Sequence, residues 1–314
     1  SLIVDETGGL ADVKTKTIRL NGPTRFKEDP LRMLRAFRCA AELNFIIAPA
    51  TLAQIRKDRT LISQPAGERV REELDRLFAV PGKTAAYLRQ MDDCGLLTAL
   101  FPFLEEQRSC AQVYYGKGGV LTHTLLVVER MDYLLEHLDK VFTAHAAQLA
   151  KFATSKSLFK MAALLHDIAK PTTAKMHKGR LRFFYHEQVG ARLARKVLEQ
   201  LHYSKADIRL VCAMIGEHLR PSNLASNDIL TRRGVYHFFR DLADAAIPLL
   251  FLCWADYTSY VTPVQLRRML PKSNERMMTL AQAQRFKNVG KTLRHLQLLT
   301  FMFAQYFEKP ALLR

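Results

Sequence analysis

The sequence predicts a mostly α-helical protein with one short β-hairpin, on three observations. Apolar residues recur at three- and four-residue spacing through most of the chain. Strand-type alternation is confined to a weak stretch, Val13 to Leu20, and to Thr173 to Tyr185 around Lys178-Gly179. Pro65, Pro81-Gly82 and Gly95 fall between the periodic runs rather than inside them.

The elements follow in order. A Gly8-Gly9 turn precedes the weak strand. From Glu28 the pattern turns helical: Pro30, Met33, Leu34, Phe37, Ala40 and Ala41 fall on one arc, with Glu28, Asp29, Arg32 and Arg35 on the other. Helices are predicted at Pro49–Lys57, Gly67–Phe78 and Ala85–Cys94, and a domain boundary near Phe101–Gly119, where Pro and Gly cluster. Thr122 is a candidate cap for a helix continuing to His137. Met161–Leu165 lies in a buried helix, the hairpin delivers the chain to His186, and a further helix covers Ile208–Glu217. Beyond Ser226, helices are predicted at Thr231–Asp241, Ala243–Tyr260, Leu266–Met269, Asn274–Gln284 and Lys291–Glu308.

With 314 residues, 48 % apolar and 25 % charged, the chain has the composition of a soluble globular protein of two or three domains. Five scattered cysteines without a CxxC argue for reduced thiols and a cytoplasmic setting rather than a disulfide frame or zinc ribbon. The longest apolar run, Ala245–Ala255, is too short to span a bilayer, and Asp5 and Glu6 do not suit a signal peptide. No membrane partner is expected.

The net charge of +17 is unevenly placed: +2 over residues 1–110, +8 over 111–225 and +7 over 226–314. Arg267, Arg268, Lys272, Arg276, Arg285, Lys287, Lys291 and Arg294 face Glu275 alone. A basic field of this kind attracts polyphosphate backbones, so these eight are candidate RNA-binding residues; a solvated basic helix face is the plainer reading.

Six metal-type ligands stand out: His123, His166, Asp167, His186, His218 and Asp256, in the order H…HD…H…H…D. A divalent cation accepts this mixture of imidazole and carboxylate, and a bound cation can turn water into a nucleophile for phosphoester chemistry. His166 and Asp167 end a buried helix, where neighbours about 100° apart can converge on one ion. Asp256 closes an apolar run, and a carboxylate there needs a partner. His123, His166, Asp167 and Asp256 make the minimal one-metal set.

This order resembles that of the HD phosphohydrolase fold. The resemblance implies that His186 and His218 complete a second metal site or contact a substrate phosphate, and that Lys170 neutralises phosphate charge. Lys170, His186 and His218 are therefore the candidate catalytic residues. An HD fold can retain its ligands without turnover, so metal binding is the firmer expectation.

Upstream, Asp5–Val13 resembles the D-x-x-GG-x-x-D-L segment joining head to neck in class II tRNA nucleotidyltransferases and bacterial poly(A) polymerases. Arg25–Ala36 looks like the neck motif R-F-x-E-D-P-x-R-M-L-R-A of that family, and Gly67–Leu74 like its next neck motif. The match continues through the HD-type region, which many members carry. It implies four parts: 1–24, the end of an α/β nucleotidyltransferase head with its linker; 25–112, a nucleotide-selecting neck; 113–225, an HD-type metal-binding domain; and 226–314, a helical RNA-binding body of an elongated molecule. In the family, the positions of Asp29 and Arg32 select the incoming CTP or ATP, flanked here by Glu28 and Arg35. On a helix, Asp29 and Arg32 share one face, and a carboxylate beside a guanidinium can read a base edge.

The family's head motifs (a Gly-Gly or Gly-Ser loop, a D-x-D pair and an R-R-D motif) do not appear before Asp5, and Lys309–Arg314 resembles the start of a P-x-L-L-x-G segment. The chain thus reads as neck, HD region and body of a larger enzyme. The implied cofactors are divalent metals: Mg2+ for nucleotidyl transfer, and Mg2+, Mn2+, Fe2+ or Ni2+ at the HD site. The implied partners are ATP, CTP and RNA, with the tRNA 3′ end foremost. Three activities stay open: addition of CCA or A residues to RNA 3′ ends, metal-dependent hydrolysis of phosphoesters, and RNA binding without catalysis.

Overall fold

The computed structural model describes residues 4–226, 231–270 and 289–308, and it is 72 % helical. The described strands form two small pairs: Thr17–Ile18 parallel to Ile46–Ile47, and Ala174–His177 antiparallel to Arg180–Phe183. The hairpin is the expected one. Lys178 and Gly179, both at positive φ (49° and 71°), make the two-residue turn whose twist suits antiparallel strands.

Near the N-terminus the expected Val13–Leu20 strand is cut short: Val13 and Lys14 close a helix, Gly9–Lys14, and Thr15 and Lys16 turn the chain. Asp5 explains the change: its carboxylate accepts from the amides of Gly9 and Leu10 at 2.7 and 2.9 Å, satisfying the first turn's unpaired donors. Only Thr17–Ile18 remains extended, paired with Ile46–Ile47, which has too few residues to leave a strand signal.

The helical run expected from Glu28 is two helices, Arg25–Glu28 and Arg32–Leu43. Asp29 between them is extended (φ −147°, ψ 96°), because Pro30 disfavours the helical conformation in the residue before it. The second helix buries Met33, Leu34, Phe37, Ala40 and Ala41, and ends at Asn44 in the left-handed region. It packs on Gly67–Ala79. Between the two, Glu73 receives Arg38 Nε at 2.6 Å and Arg35 Nε at 3.1 Å. Gly67 lies where its helix meets the end of His186–Gln200, and a Cβ there would fall 1.8 Å from the carbonyl oxygen of Gln200. Only glycine permits that approach.

The expected helices appear at Pro49–Asp58, Thr84–Asp93, Lys205–Gly216, Arg232–Leu242, Ala246–Ser259, Pro263–Met269 and Val289–Glu308. Asn274–Gln284 and Lys309–Arg314 lie outside the described residues. The Phe101–Gly119 stretch holds two short helices, Phe103–Ser109 and Gln112–Tyr115, and contributes the buried Leu104 and Gln107. At the centre, Gly119–Glu136 packs against both Ala246–Ser259 and Lys156–Leu165. Thr122 sits inside its first turn, with Gly118 before the helix start, so the expected Thr122 cap is not formed; its hydroxyl donates to Lys117 O.

One hydrophobic cluster runs from Phe26 through the central helices Gly119–Glu136 and Ala246–Ser259 to Val289–Glu308. A buried ion pair reinforces the junction: Lys160 Nζ stands 2.6 Å from Asp132 and also donates to Phe78 O and Thr84 Oγ.

Candidate metal centre and neck site

Five helices bring the six predicted ligands together. His123 lies in the second turn of Gly119–Glu136 and Asp256 in the last turn of Ala246–Ser259. His166 caps Lys156–Leu165, with Asp167 next to it, and Gln107 Nε2 holds Asp167 O at 3.1 Å. His186 opens His186–Gln200, and His218 follows Lys205–Gly216.

Asp167 is the common member. Its Oδ2 is 3.1 Å from His166 Nε2, 3.3 Å from His123 Nε2 and 2.5 Å from Lys170 Nζ, while its Oδ1 is 3.6 Å from His186 Nε2. Asp256 Oδ1 is 3.3 Å from His123 Nε2. Ligand atoms of His123, His166 and Asp167 form one close group, and those of Asp167, His186 and His218 another.

The outer nitrogens orient the rings. Nδ1 of His166, His186 and His218 meets the carbonyl of Ala163, Phe183 and Ile215 at 2.7 to 2.8 Å. A carbonyl only accepts, so each Nδ1 carries the proton. His123 Nδ1 is 3.1 Å from Ser259 Oγ, whose own hydrogen goes to Asp256 O at 2.7 Å, so it too donates. In the neutral rings every Nε2 therefore turns a lone pair inward, as second-shell bonds do for metal-binding histidines. The Nε2 atoms of His123, His166 and His186, and Oδ1 of Asp167 and Asp256, are buried without a hydrogen-bond partner. Burying them so is costly unless a cation takes them up, and the donor set fits a divalent ion.

Electrostatics agrees with this assignment at His218, Asp167 and Asp256, whereas at His166 the neighbouring Asp167 carboxylate favours a proton that a bound cation would displace. Burial pushes His218 down to about 4, with His166 adding to the effect, which keeps it neutral near pH 7. Burial opposes ionisation of Asp167, but His166 and Lys170 hold it well below the ordinary carboxylate range. Asp256 is likewise held down against burial by His123. Burial lowers His166 and Lys170, yet the Asp167 carboxylate keeps both above their ordinary values.

In the neck, the structure separates the pair expected on one helix face. Asp29 sits in the extended link and Arg32 opens the next helix, joined by the bond from Arg32 N to Asp29 O at 3.1 Å. Arg32 pairs with Glu28 at 3.3 Å, and Arg25 with the same carboxylate at 2.9 Å. Asp29 pairs instead with Arg69 at 3.3 Å, a contact between two neck motifs that no local spacing announces. Beside them opens a cavity of about 490 Å³ lined by Arg19, Asn21, Arg25, Arg32, Arg35 and Thr51, among others.

Of the basic candidates, Arg267 and Arg268 are exposed on Pro263–Met269, and Lys291 and Arg294 on Val289–Glu308. Lys272, Arg276, Arg285 and Lys287 lie outside the described residues.

Comparison with known proteins agrees with this layout. The family model for the probable RNA and SrmB-binding site of polymerase A matches residues 44–108, and that for the HD domain matches 120–261. An A-adding tRNA nucleotidyltransferase of Deinococcus radiodurans is 31 % identical over 255 residues, covering 79 % of this chain and 54 % of that protein. The chain belongs to the class II tRNA nucleotidyltransferase family. A CC-adding tRNA nucleotidyltransferase of Thermus thermophilus is 32 % identical, covering 73 % of this chain and 49 % of that protein. The chain spans about half the length of these family members. The Thermotoga maritima CCA-adding enzyme complexed with tRNA shares the fold, with a TM-score of 0.53 at 16 % identity over 96 % of this chain and 67 % of that one. Among the described residues, no helix is long and apolar enough to cross a membrane.

Proposed function

We propose that this chain is the base-selecting and RNA-gripping portion of an enzyme that adds CCA or A residues to RNA 3′ ends, with the tRNA end as its substrate. The arginine-lined cavity at the head-side edge of the neck carries the proposal. Four guanidiniums around a space of about 490 Å³ suit a nucleoside triphosphate, and they lie where the E-D-P-x-R motif turns. Asp29 and Arg32 read the base of CTP or ATP, with Glu28 and Arg35 fixing their surroundings, and Mg2+ serves the transfer step in the catalytic head. Named relatives include A-adding, CC-adding and multifunctional CCA enzymes, which supports the reaction class. The four-part division at 24, 112 and 225 stands within this proposal, the fourth part lending the helix of Asp256 to the HD centre. In the full-length enzyme, Asp29→Ala and Arg32→Ala should each blur the choice between CTP and ATP by about tenfold or more, as loss of a bidentate base contact does. Unchanged selectivity in both variants defeats the template assignment.

A second reading concerns the HD centre, favoured by the buried inward-facing ligand atoms. His123, His166, Asp167 and Asp256 would hold one divalent cation, of Mg2+, Mn2+, Fe2+ or Ni2+ type, with His186 and His218 available to a second. Such a cation supplies Lewis acidity and an activated water. The chain's own part is to orient the imidazoles, exclude bulk water and place the Lys170 ammonium beside the reacting phosphate. Phosphoesters at RNA ends, or nucleotides, are the substrates of this reading. Metal-dependent hydrolysis that vanishes in Asp167→Ala supports it; hydrolysis that persists there ends it.

A further inference from the structure

Tyr115 covers the candidate centre. Its ring stacks on His123 with centroids 4.7 Å apart and an interplanar angle of 23°, and Tyr260 approaches the same imidazole at 5.3 Å. The Tyr115 hydroxyl accepts from Lys170 Nζ at 2.7 Å, and that ammonium stands 2.5 Å from Asp167 Oδ2. Lys170 therefore divides its donors between a metal-ligand carboxylate and a tyrosine on the outer side. None of the six ligands is more than 8 % exposed, so a phosphoester reaches them only when something moves.

Tyr115 sits on the segment suited to that movement. Gln112–Tyr115 is a single helical turn between Ala111 at φ 57° and Gly116 at φ 75°, ψ −161°. The Gly116 conformation is open essentially to glycine alone, and a Cβ there would meet no other atom nearby, so backbone freedom rather than space calls for glycine. Gly118 and Gly119 follow, also at positive φ. The base of the segment is fixed: a Cβ on Gly119 would lie 2.3 Å from Cys110 O. Its outer edge is held lightly: Val113 and Tyr114 are exposed, and the Tyr114 hydroxyl donates to Leu181 O on the hairpin at 2.8 Å.

We propose that Tyr115 is the gate and a positioning residue of the HD centre: its ring closes the site over His123, and its hydroxyl occupies the Lys170 donor that an incoming phosphoryl oxygen takes over. The segment 111–119 carries the ring outward, and Lys170 exchanges one oxygen acceptor for another while keeping Asp167. This rests on the reading of the centre as a phosphoester-hydrolysing metal site.

The test uses the full chain loaded with Mn2+. One readout is the rate of Mn2+ release into excess EDTA; the other is kcat and KM for bis(p-nitrophenyl) phosphate. Removing the ring in Tyr115→Ala should speed release by about fivefold or more, since a stacked aromatic contact is lost. Tyr115→Phe keeps the ring and should release Mn2+ as the parent does. By freeing Lys170 it should lower KM by about fivefold with kcat little changed, the scale of one hydrogen bond. Gly116→Ala should speed release, because alanine is strained in the backbone conformation that holds the ring closed. Equal release rates in the parent and Tyr115→Ala overturn the gate, and an unaltered KM in Tyr115→Phe overturns the Lys170 role. If the parent binds Mn2+ but hydrolyses nothing, the hydrolase reading and the Lys170 role fall together, and the release rates still decide the gate. The Phe variant guards against misfolding, because it preserves the packing.

Discussion

Replacing Asp167 by Asn tests the centre most directly, because Asp167 alone belongs to both groups of converging ligand atoms. The change preserves shape and removes one buried charge. That charge is 2.5 Å from Lys170 Nζ and 3.1 Å from His166 Nε2, and neither Asp167 nor Lys170 is more than 7 % exposed. Two consequences follow. The cation loses a carboxylate shared by both sites, so Mn2+ affinity should fall by at least about 100-fold, beyond the usual cost of losing an outer-shell partner. In the metal-free protein, Lys170 is left buried without its counter-charge, which costs about 3–5 kcal/mol when a buried pair is broken from one side. Calorimetric titration with Mn2+ reads the first effect, and thermal unfolding in EDTA the second. Mn2+ should raise the parent's unfolding temperature and leave that of Asp167→Asn almost unmoved. Retention of one Mn2+ per chain with unchanged affinity would falsify the ligand assignment. An unchanged unfolding temperature in EDTA would show that the Asp167–Lys170 pair is solvated rather than buried.

Further outcomes follow from other parts of the molecule. Lys160→Met should cost about 3–5 kcal/mol by stranding Asp132, and adding Asp132→Asn should restore part of it; chemical unfolding of the three proteins measures the coupling. Burial, aided by Lys291, pushes His295 down to about 4. With a folded value below the unfolded one near 6.5, its contribution is whole above about pH 6.5 and is lost as pH falls toward 4. His295→Gln should therefore flatten the loss of stability over that window, and equal acid sensitivity in both proteins counts against it. Neutralising Arg267, Arg268, Lys291 and Arg294 should lower the slope of log affinity for RNA against log salt by just under about one per contact removed. An unchanged slope moves the RNA path elsewhere.

Local chemistry made much of this molecule readable from the chain. The Lys178-Gly179 turn has a glycine at one of its two positive-φ positions, and the helices from Pro49 onward carry apolar stripes that survive as buried faces. The six ligands are legible because cation chemistry narrows the residue types and because their order resembles that of the HD phosphohydrolase fold. The first turn at Gly9 was not legible, since Asp5 caps it from outside the helix. Nor was the single face expected for Asp29 and Arg32, although Pro30 held the signal that breaks it.

The sequence by itself determined the helical class, the hairpin and the residue types of the candidate ligands, while the family came from the resemblance of its motifs. These depend on periodicity, turn chemistry and residue type, which act over a few positions. Only the tertiary structure decided that Asp167 is shared by two ligand groups, that Asp29 pairs with Arg69, and that Tyr115 lies over His123. Each of these joins side chains through directional contacts of a few ångströms. Such contacts depend on how separate helices pack, and no spacing along the chain encodes that.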